Sequence, residues 1–366
     1  MKRIPAYVAV LSLSVFPACR RTDQPVVRET TAMDTYVTIT VYDRGLPAER
    51  INSAIDSAFA EIRRIESYAS DYIDTSEIGR ANLLAGKDSL LVSGELAALL
   101  RKSLSYSDSS RGAFDVTVGP LEVLWNILAP HPRVPPPDSV QAMLRLIGYR
   151  LVVLHGRSLY LPRKGMRLDL GAIGKGYAVD RATEVLAKAG IERAIVDMGG
   201  NLAVRWPGAP GWDSAVATIS VRHPRVEGTF LGAFRYGSGG ISTSGDYERY
   251  FVADGKRYHH IMDPATGYPA EGVVSVTVVA PNAADADAIS TTVFVLGRQK
   301  GMEFIRRRPG VDGFIVFEQG DSLCIDYSPG FRGKFTPDTP HARSRTDSRG
   351  DTHADTHVGT PADAHD

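Results

Sequence analysis

Thr35-Tyr-Val-Thr-Ile-Thr-Val-Tyr42, with the stretch from Pro47 to Ile65 behind it, holds two periodicities back to back. The first eight residues alternate β-branched and aromatic side chains with a period of two, the pattern of a half-buried strand. Ile51, Ile55, Ala58, Phe59, Ile62 and Ile65 then recur near 3.6 and fall on one face. Pro47, tolerated in a first turn, opens what should be a long helix.

The same switch of period recurs along the chain. Ser93 before Leu96, Leu99, Leu100 and Leu104 predicts a capped second helix, and residues 177–190 a third that Gly190 ends. Strands are expected at 193–197, 215–221, 230–236, 273–279 and 313–318, and residues 129–138, with five prolines, as a surface loop. Strands and helices interleave without strict βαβ alternation and without an internal repeat. That favours an α+β fold, one large mixed domain over residues 30–336, above a doubly wound parallel sheet.

A chain of 366 residues, 43% hydrophobic and 23% charged, can bury a sizeable core. Lys plus Arg (42) balance Asp plus Glu (42), so the summed field does not draw in nucleic acid, which is excluded as a partner. Cys19 and Cys324 lie far apart in unlike surroundings, which argues against a disulfide framework or a zinc cluster. Cys324 reads as a small buried hydrophobe.

Lys2 and Arg3, an apolar run over 6–15 and Phe16-Pro-Ala-Cys19 read as a secretion signal over residues 1–19. Its end resembles the lipobox of bacterial lipoproteins, with Phe16 where Leu is usual. That resemblance implies a lipid on Cys19 and an exported protein held at a membrane of the cell envelope, facing the periplasm in a Gram-negative cell. The apolar run is too short to span a bilayer. Residues 20–29 suit a tether. Residues 337–366 have almost no bulky apolar side chain and read as a disordered tail, its His341, His353, His357 and His365 as low-complexity solubilising sequence.

Four stretches are richer in Gly, Asp, Ser, Thr and His than packing requires. In Gly112-Ala-Phe-Asp-Val-Thr-Val-Gly-Pro120, Asp115 and Thr117 sit among apolar residues before a turn, which a capped strand end alone would explain. Asp169-Leu-Gly-Ala-Ile-Gly-Lys-Gly176 enters the third helix. Glycines there admit a ligand close to backbone, the helix N-terminus favours phosphate, and Lys175 adds a charge; the spacing is neither a P-loop nor a dinucleotide fingerprint.

Ile241-Ser-Thr-Ser-Gly-Asp246 offers hydroxyls beside a glycine turn, and His260 follows as a group able to accept a proton near neutral pH, or as a plain structural histidine. In 282–292, a helix starting near Asn282 sets Asp287 and Thr291 four apart on one face. A carboxylate and a hydroxyl at one point suit Mg²⁺, though helix-start decoration fits the spacing equally.

In this order, the blocks resemble the ApbE family, the FAD:protein FMN transferases that modify exported flavoproteins. Met33-Asp-Thr35 resembles the family's Met-Gly-Thr, and Tyr72 through Ser76-Glu77 to Asn82 its next block. GAFDVTVGP, residues 169–179, ISTSGDY and HHIMDPATGYP follow it closely. The resemblance implies a T-fold-like α+β domain of two sub-lobes with the flavin site between them. It implies FAD contacts at Met33, Tyr72, Ala113, Phe114, Asp115, Asp169, Lys175, Thr243 and His260, and Mg²⁺ ligands at the Ala172 carbonyl, Asp287 and Thr291. The activity it implies is transfer of FMN from FAD to a Thr or Ser hydroxyl of an exported flavoprotein, releasing AMP. His260 is the candidate general base by its chemistry, with Asp246 as the second candidate. Two other functions use the same residues: a Mg²⁺-dependent pyrophosphatase giving FMN and AMP, and a lipoprotein that binds FAD without chemistry.

Overall fold

The structure is a computed structural model that describes residues 24–43, 45–212, 217–338 and 343–344. The expected signal, the lipid site at Cys19 and most of the expected tail lie outside the described residues. Its centre is a nine-stranded sheet of β1 (Val26–Ala32), β2 (Thr35–Val41), β3 (Ala194–Met198), β4 (Asn201–Arg205), β5 (Gly239–Gly245), β6 (Ser275–Ala280), β7 (Asp312–Gln319), β8 (Ser322–Tyr327) and β9 (Arg343–Ser344). The strands lie side by side in that order, each pair antiparallel except β8 with β9. A meander whose helices are excursions between neighbouring strands is an α+β domain, as the uneven interleaving of periods predicts.

The helices are α1 (Ala48–Ala69), α2 (Glu77–Leu83), α3 (Gly94–Ser109), α4 (Gly119–Trp125), α5 (Pro137–Leu144), α6 (Gly174–Lys188) and α7 (Ala283–Arg306). The apolar stripe of α1, including Ile55, Ile62 and Ile65, is fully buried in a core shared with α3, α6 and β1 to β3. A second core joins α7 to β6 and β7 through Val276, Val278, Ile289, Val293 and Ile315. The two-residue period of β7 sends Phe314 and Val316 to the other face, under a three-stranded sheet of Ala217–Arg222, Phe230–Tyr236 and Phe335–Pro337. A fourth cluster, with Leu121, Trp125, Val140 and Phe251, lies under α4 and α5. Cys324 is buried and free.

Two local expectations are corrected. Residues 26–29 are not tether: Val26–Ala32 is an edge strand paired along its length with β2. Its sequence looks like a linker because an edge strand half exposed on both faces carries few apolar residues. The proline-rich loop ends early, since α5 starts at Pro137, and Pro is well suited to a first turn. Ile241 to Gly245 ends β5, flanked by β4 and β6, and the turn follows it at Asp246 and Tyr247. Among the described residues no helix is long and apolar enough to cross a membrane.

Candidate active site

A cavity of about 860 Å³ opens where three of the cores meet, lined by Met33 and Phe114 from the first, Ile261 from the second and Ile127 and Met262 from the fourth. One wall is the entrance to α6. Asp169 is tied to the GAFDV segment by its N–H, which donates to the Val116 carbonyl at 2.8 Å, and its carboxylate accepts from Gly171 N–H at 2.6 Å. That bends the chain into a loop before Gly174. Ile173 at the N-cap of α6 makes no side-chain cap bond; of the first N–H groups, Gly174 donates to the Leu170 carbonyl at 2.7 Å and Gly176 to the Asp287 carboxylate at 2.9 Å, which leaves that of Lys175 for a ligand. Lys175 Nζ donates to the Gly171 carbonyl at 2.9 Å, which holds its charge beside the cavity. A free N–H at a helix N-terminus beside an ammonium suits an anion.

The facing wall is α7. Asn282 caps it, accepting from Asp285 N–H at 2.9 Å, and the Asp180 carboxylate accepts from Ala283 and Ala284 at 2.8 and 2.9 Å. Its first donors are therefore satisfied by protein. Asp285 is spent on structure, with Tyr106 and Lys102 both at 2.6 Å. Asp287, two residues further along, is only 3% exposed. Its Oδ2 accepts from Gly176 N–H at 2.9 Å, and among the described residues no hydrogen bond reaches Oδ1. Burial pushes its carboxyl pKa up, while Lys175 and the Gly176 N–H pull the other way. Ala172, Asp287 and Thr291 all line the cavity.

The donor set is one carboxylate, one hydroxyl and one carbonyl, all hard oxygens, and a carboxylate oxygen with no protein partner is what a cation would complete. Among the described residues no three His, Cys, Asp or Glu side chains gather to hold a metal. Any cation here therefore takes most of its shell from neutral oxygens, substrate or water, the habit of Mg²⁺.

The two adjacent histidines separate cleanly. His259 is buried with both ring nitrogens used, Nε2 with the Ala270 carbonyl at 2.9 Å and Nδ1 with Ile261 N–H at 3.2 Å. His260 lines the cavity, and its Nδ1 lies 3.4 Å from the Arg249 carbonyl, to which it can only donate; that leaves Nε2 as the basic nitrogen. Burial, then the charges of Lys175, His259 and Arg249, bring its pKa down to about 3, so the ring is neutral at pH 7.

Asp246 does not join it. Its carboxylate accepts a bidentate pair from Arg225 at 2.7 and 2.8 Å and a further bond from Arg257 at 3.1 Å, and it is not among the cavity-lining residues. The candidate base is thus an ion-paired structural residue. Ser242 is likewise buried away from the cavity, while Thr243 lines it and pairs with Thr277 Oγ1 at 2.9 Å.

The remaining residues expected at the site all line the cavity: Met33, Tyr72, Ala113, Phe114, Asp115, Asp169 and Lys175. Asp115 also organises its own turn, accepting from Thr117 N–H and Oγ1 at 2.8 and 2.6 Å and from Tyr149 N–H at 2.9 Å. Tyr72 stands at the mouth, 75% exposed. Met33 and Asp34 form the β1–β2 turn with φ of 49° and 57°, both left-handed, where Gly, Asn or Asp is tolerated best.

Sequence reasoning missed Asp71, Glu122, Arg167 and Arg249, which share the cavity. Burial, then Asp169 and Asp71, raise the Glu122 carboxyl well above its usual range, and burial with Asp169 pushes Asp71 up to about 6 against the pull of Arg167. On a short helix Glu122 looks like an ordinary solvated charge, and no local pattern marks it.

Comparison with known proteins agrees with this geometry. A profile of the ApbE family matches residues 33–315. The FAD:protein FMN transferase of Treponema pallidum is 36% identical over 287 residues, 74% of this chain and 79% of that protein. The one of Escherichia coli K12 is 32% identical over 298 residues, covering 79% and 83%. Among solved structures, the ApbE protein of Thermotoga maritima superposes with a TM-score of 0.74 at 33% identity, covering 84% of this chain and 98% of its own. The apo flavinyl transferase ApbE of Pseudomonas stutzeri gives 0.74 at 28%, covering 86% and 97%. Since the matched span contains the α6 cradle, the His260 turn and the Asp287 and Thr291 helix, the chain belongs to the ApbE family.

Proposed function

We propose that this protein transfers the FMN half of FAD to a Thr or Ser hydroxyl of an exported flavoprotein and releases AMP, with Mg²⁺ held by Asp287, Thr291 and the Ala172 carbonyl. The observation that carries the reading is the convergence on one cavity of the α6 N-terminus with Lys175, the Asp287 and Thr291 oxygens on α7 and a neutral histidine.

In the reaction, the acceptor oxygen bonds to the phosphorus on the flavin side while the bond to the bridging oxygen breaks and AMP departs with it. Such a transfer asks chiefly for positioning and for positive charge around the phosphoryl oxygens. A bound Mg²⁺ would neutralise charge on those oxygens. Lys175, through its ammonium and its own backbone N–H at the start of α6, holds the pyrophosphate from the other side. His260 Nε2 takes the hydroxyl proton. Its low basicity, due first to burial, is also set by Lys175 and Arg249, whose charges substrate phosphates would offset.

The test is to incubate the protein with FAD, Mg²⁺ and an exported flavoprotein domain, then look for flavin fluorescence on denatured protein and for AMP. Fluorescent protein with AMP supports transfer. FMN and AMP without labelled protein would mean hydrolysis, and intact FAD a binder. Asp287→Ala should abolish the metal-dependent activity. We further infer export and a lipid on Cys19; labelling with radioactive palmitate that survives Cys19→Ala would remove that part.

A further inference from the structure

Beneath Thr291 runs a chain of buried side-chain oxygens that begins on β4 and ends at the cavity. Ser242 Oγ donates to Asn201 Oδ1 at 2.7 Å and lies 3.0 Å from Ser290 Oγ; Ser290 lies 2.9 Å from Ser244 Oγ, and Ser244 lies 3.3 Å from Thr291 Oγ1. Asn201, Ser242 and Ser290 are 3%, 1% and 0% exposed, so no bulk water competes for these bonds. Ser242 and Ser244 are two apart on β5 and reach the same helix because side chains on a strand alternate in direction.

Each hydroxyl has one proton to give, which sets the direction of the chain. Ser242 has given its proton to Asn201, so the Ser242–Ser290 bond needs the Ser290 proton. The Asp287 carbonyl, which can only accept, also takes a bond from Ser290 Oγ at 3.0 Å, so the one Ser290 proton is committed between it and Ser242 and none is left for Ser244. Ser244 must then donate to Ser290, and Thr291 to Ser244. The end of the chain is a Thr291 hydroxyl whose proton points into the protein and whose lone pairs remain for the cavity. A hydroxyl that turned its proton to the cavity would repel a cation.

We propose that Asn201, Ser242, Ser290 and Ser244 act as a one-way hydrogen-bond relay that orients the Thr291 hydroxyl as a ligand for a divalent cation. These four are positioning residues. The inference rests on the metal reading above and goes beyond it, because it assigns a role to residues that do not touch the cation.

The test is Mn²⁺ binding, followed by loss of the free-ion electron paramagnetic resonance signal, on the whole protein without turnover. Outer-shell partners typically change metal affinity by about 10- to 100-fold. Ser242→Ala and Ser244→Ala should each weaken Mn²⁺ binding roughly tenfold, with Ser244→Thr, which restores a hydroxyl, close to the starting protein. FAD affinity measured without metal should not change. Unaltered Mn²⁺ affinity in both folded alanine variants would overturn the relay while leaving the metal site intact. Failure of the unsubstituted protein to bind Mn²⁺ would overturn the metal reading and the relay with it. Ser244 is only partly buried, so its variants stay informative even if Ser242→Ala does not fold.

Discussion

The backbone N–H of Gly176 donates to the carboxylate of Asp287 across 2.9 Å, and a Cβ at position 176 would lie 2.2 Å from the Ala283 carbonyl oxygen. The first turn of α6, which forms the anion cradle, is thus in backbone contact with the helix that carries the oxygen pair. The two halves of the site pack directly against each other.

Gly176→Ala should therefore force α6 and α7 apart. Overpacking of this kind costs typically about 1–3 kcal/mol. Thermal unfolding should report that loss, and activity of the folded fraction should fall as well, because the N–H that holds Asp287 moves with the helix. Unchanged melting and turnover would mean that the helices yield without cost.

His260→Ala should slow transfer roughly 100- to 10,000-fold, the usual range for a general base, with FAD binding little changed. Flavin fluorescence titration and single-turnover transfer separate the two. Equal loss of both would make His260 a binding residue and not a base.

Asp246→Ala should behave in the opposite way. It leaves Arg225 and Arg257 without the carboxylate between them, costing on the order of 2 kcal/mol for groups that are mostly but not wholly buried. Denaturant unfolding should show the loss, while transfer per folded molecule stays near its starting value. A collapse of turnover with stability intact would return Asp246 to the chemistry.

Asp180 makes a pH prediction. Burial raises its carboxyl to about 6 in the folded protein, although Ala283 and Ala284 N–H oppose the shift. Between pH 4 and 6, roughly the span from its unfolded value to its folded one, the folded state keeps a proton that the unfolded state has lost. Its contribution to stability is therefore fully present below about pH 4 and lost as pH rises through 6. Asp180→Asn should flatten the dependence of the unfolding midpoint across that window; an unchanged slope would locate the titration elsewhere.

Much of the fold is legible in the chain because its signals are local. The stripe of α1, the Ser93 cap, the helix start near Asn282 and the alternation of β2 each lie within a few residues, and each is found in place. Asp287 and Thr291 share a face because four residues are about one helical turn. The edge strand at 26–32 was hidden because its partner, not its composition, makes it a strand.

What only the tertiary structure decided is which polar residue is free to act. Asp246 and His260 look alike as candidates until Arg225 and Arg257 arrive to occupy the first, while the cavity leaves Nε2 of the second unclaimed. Ser242 and Ser244 sit two apart in one motif, yet one is buried against Asn201 and the other reaches Thr291 at the cavity. Propensity and spacing act within a turn or a strand, so the sequence determines elements, caps and the helical face of the oxygen pair. Hydrogen bonds and ion pairs draw on partners 41, 47 or 21 residues away, so the roles within the site exist only once the sheet has brought those partners together.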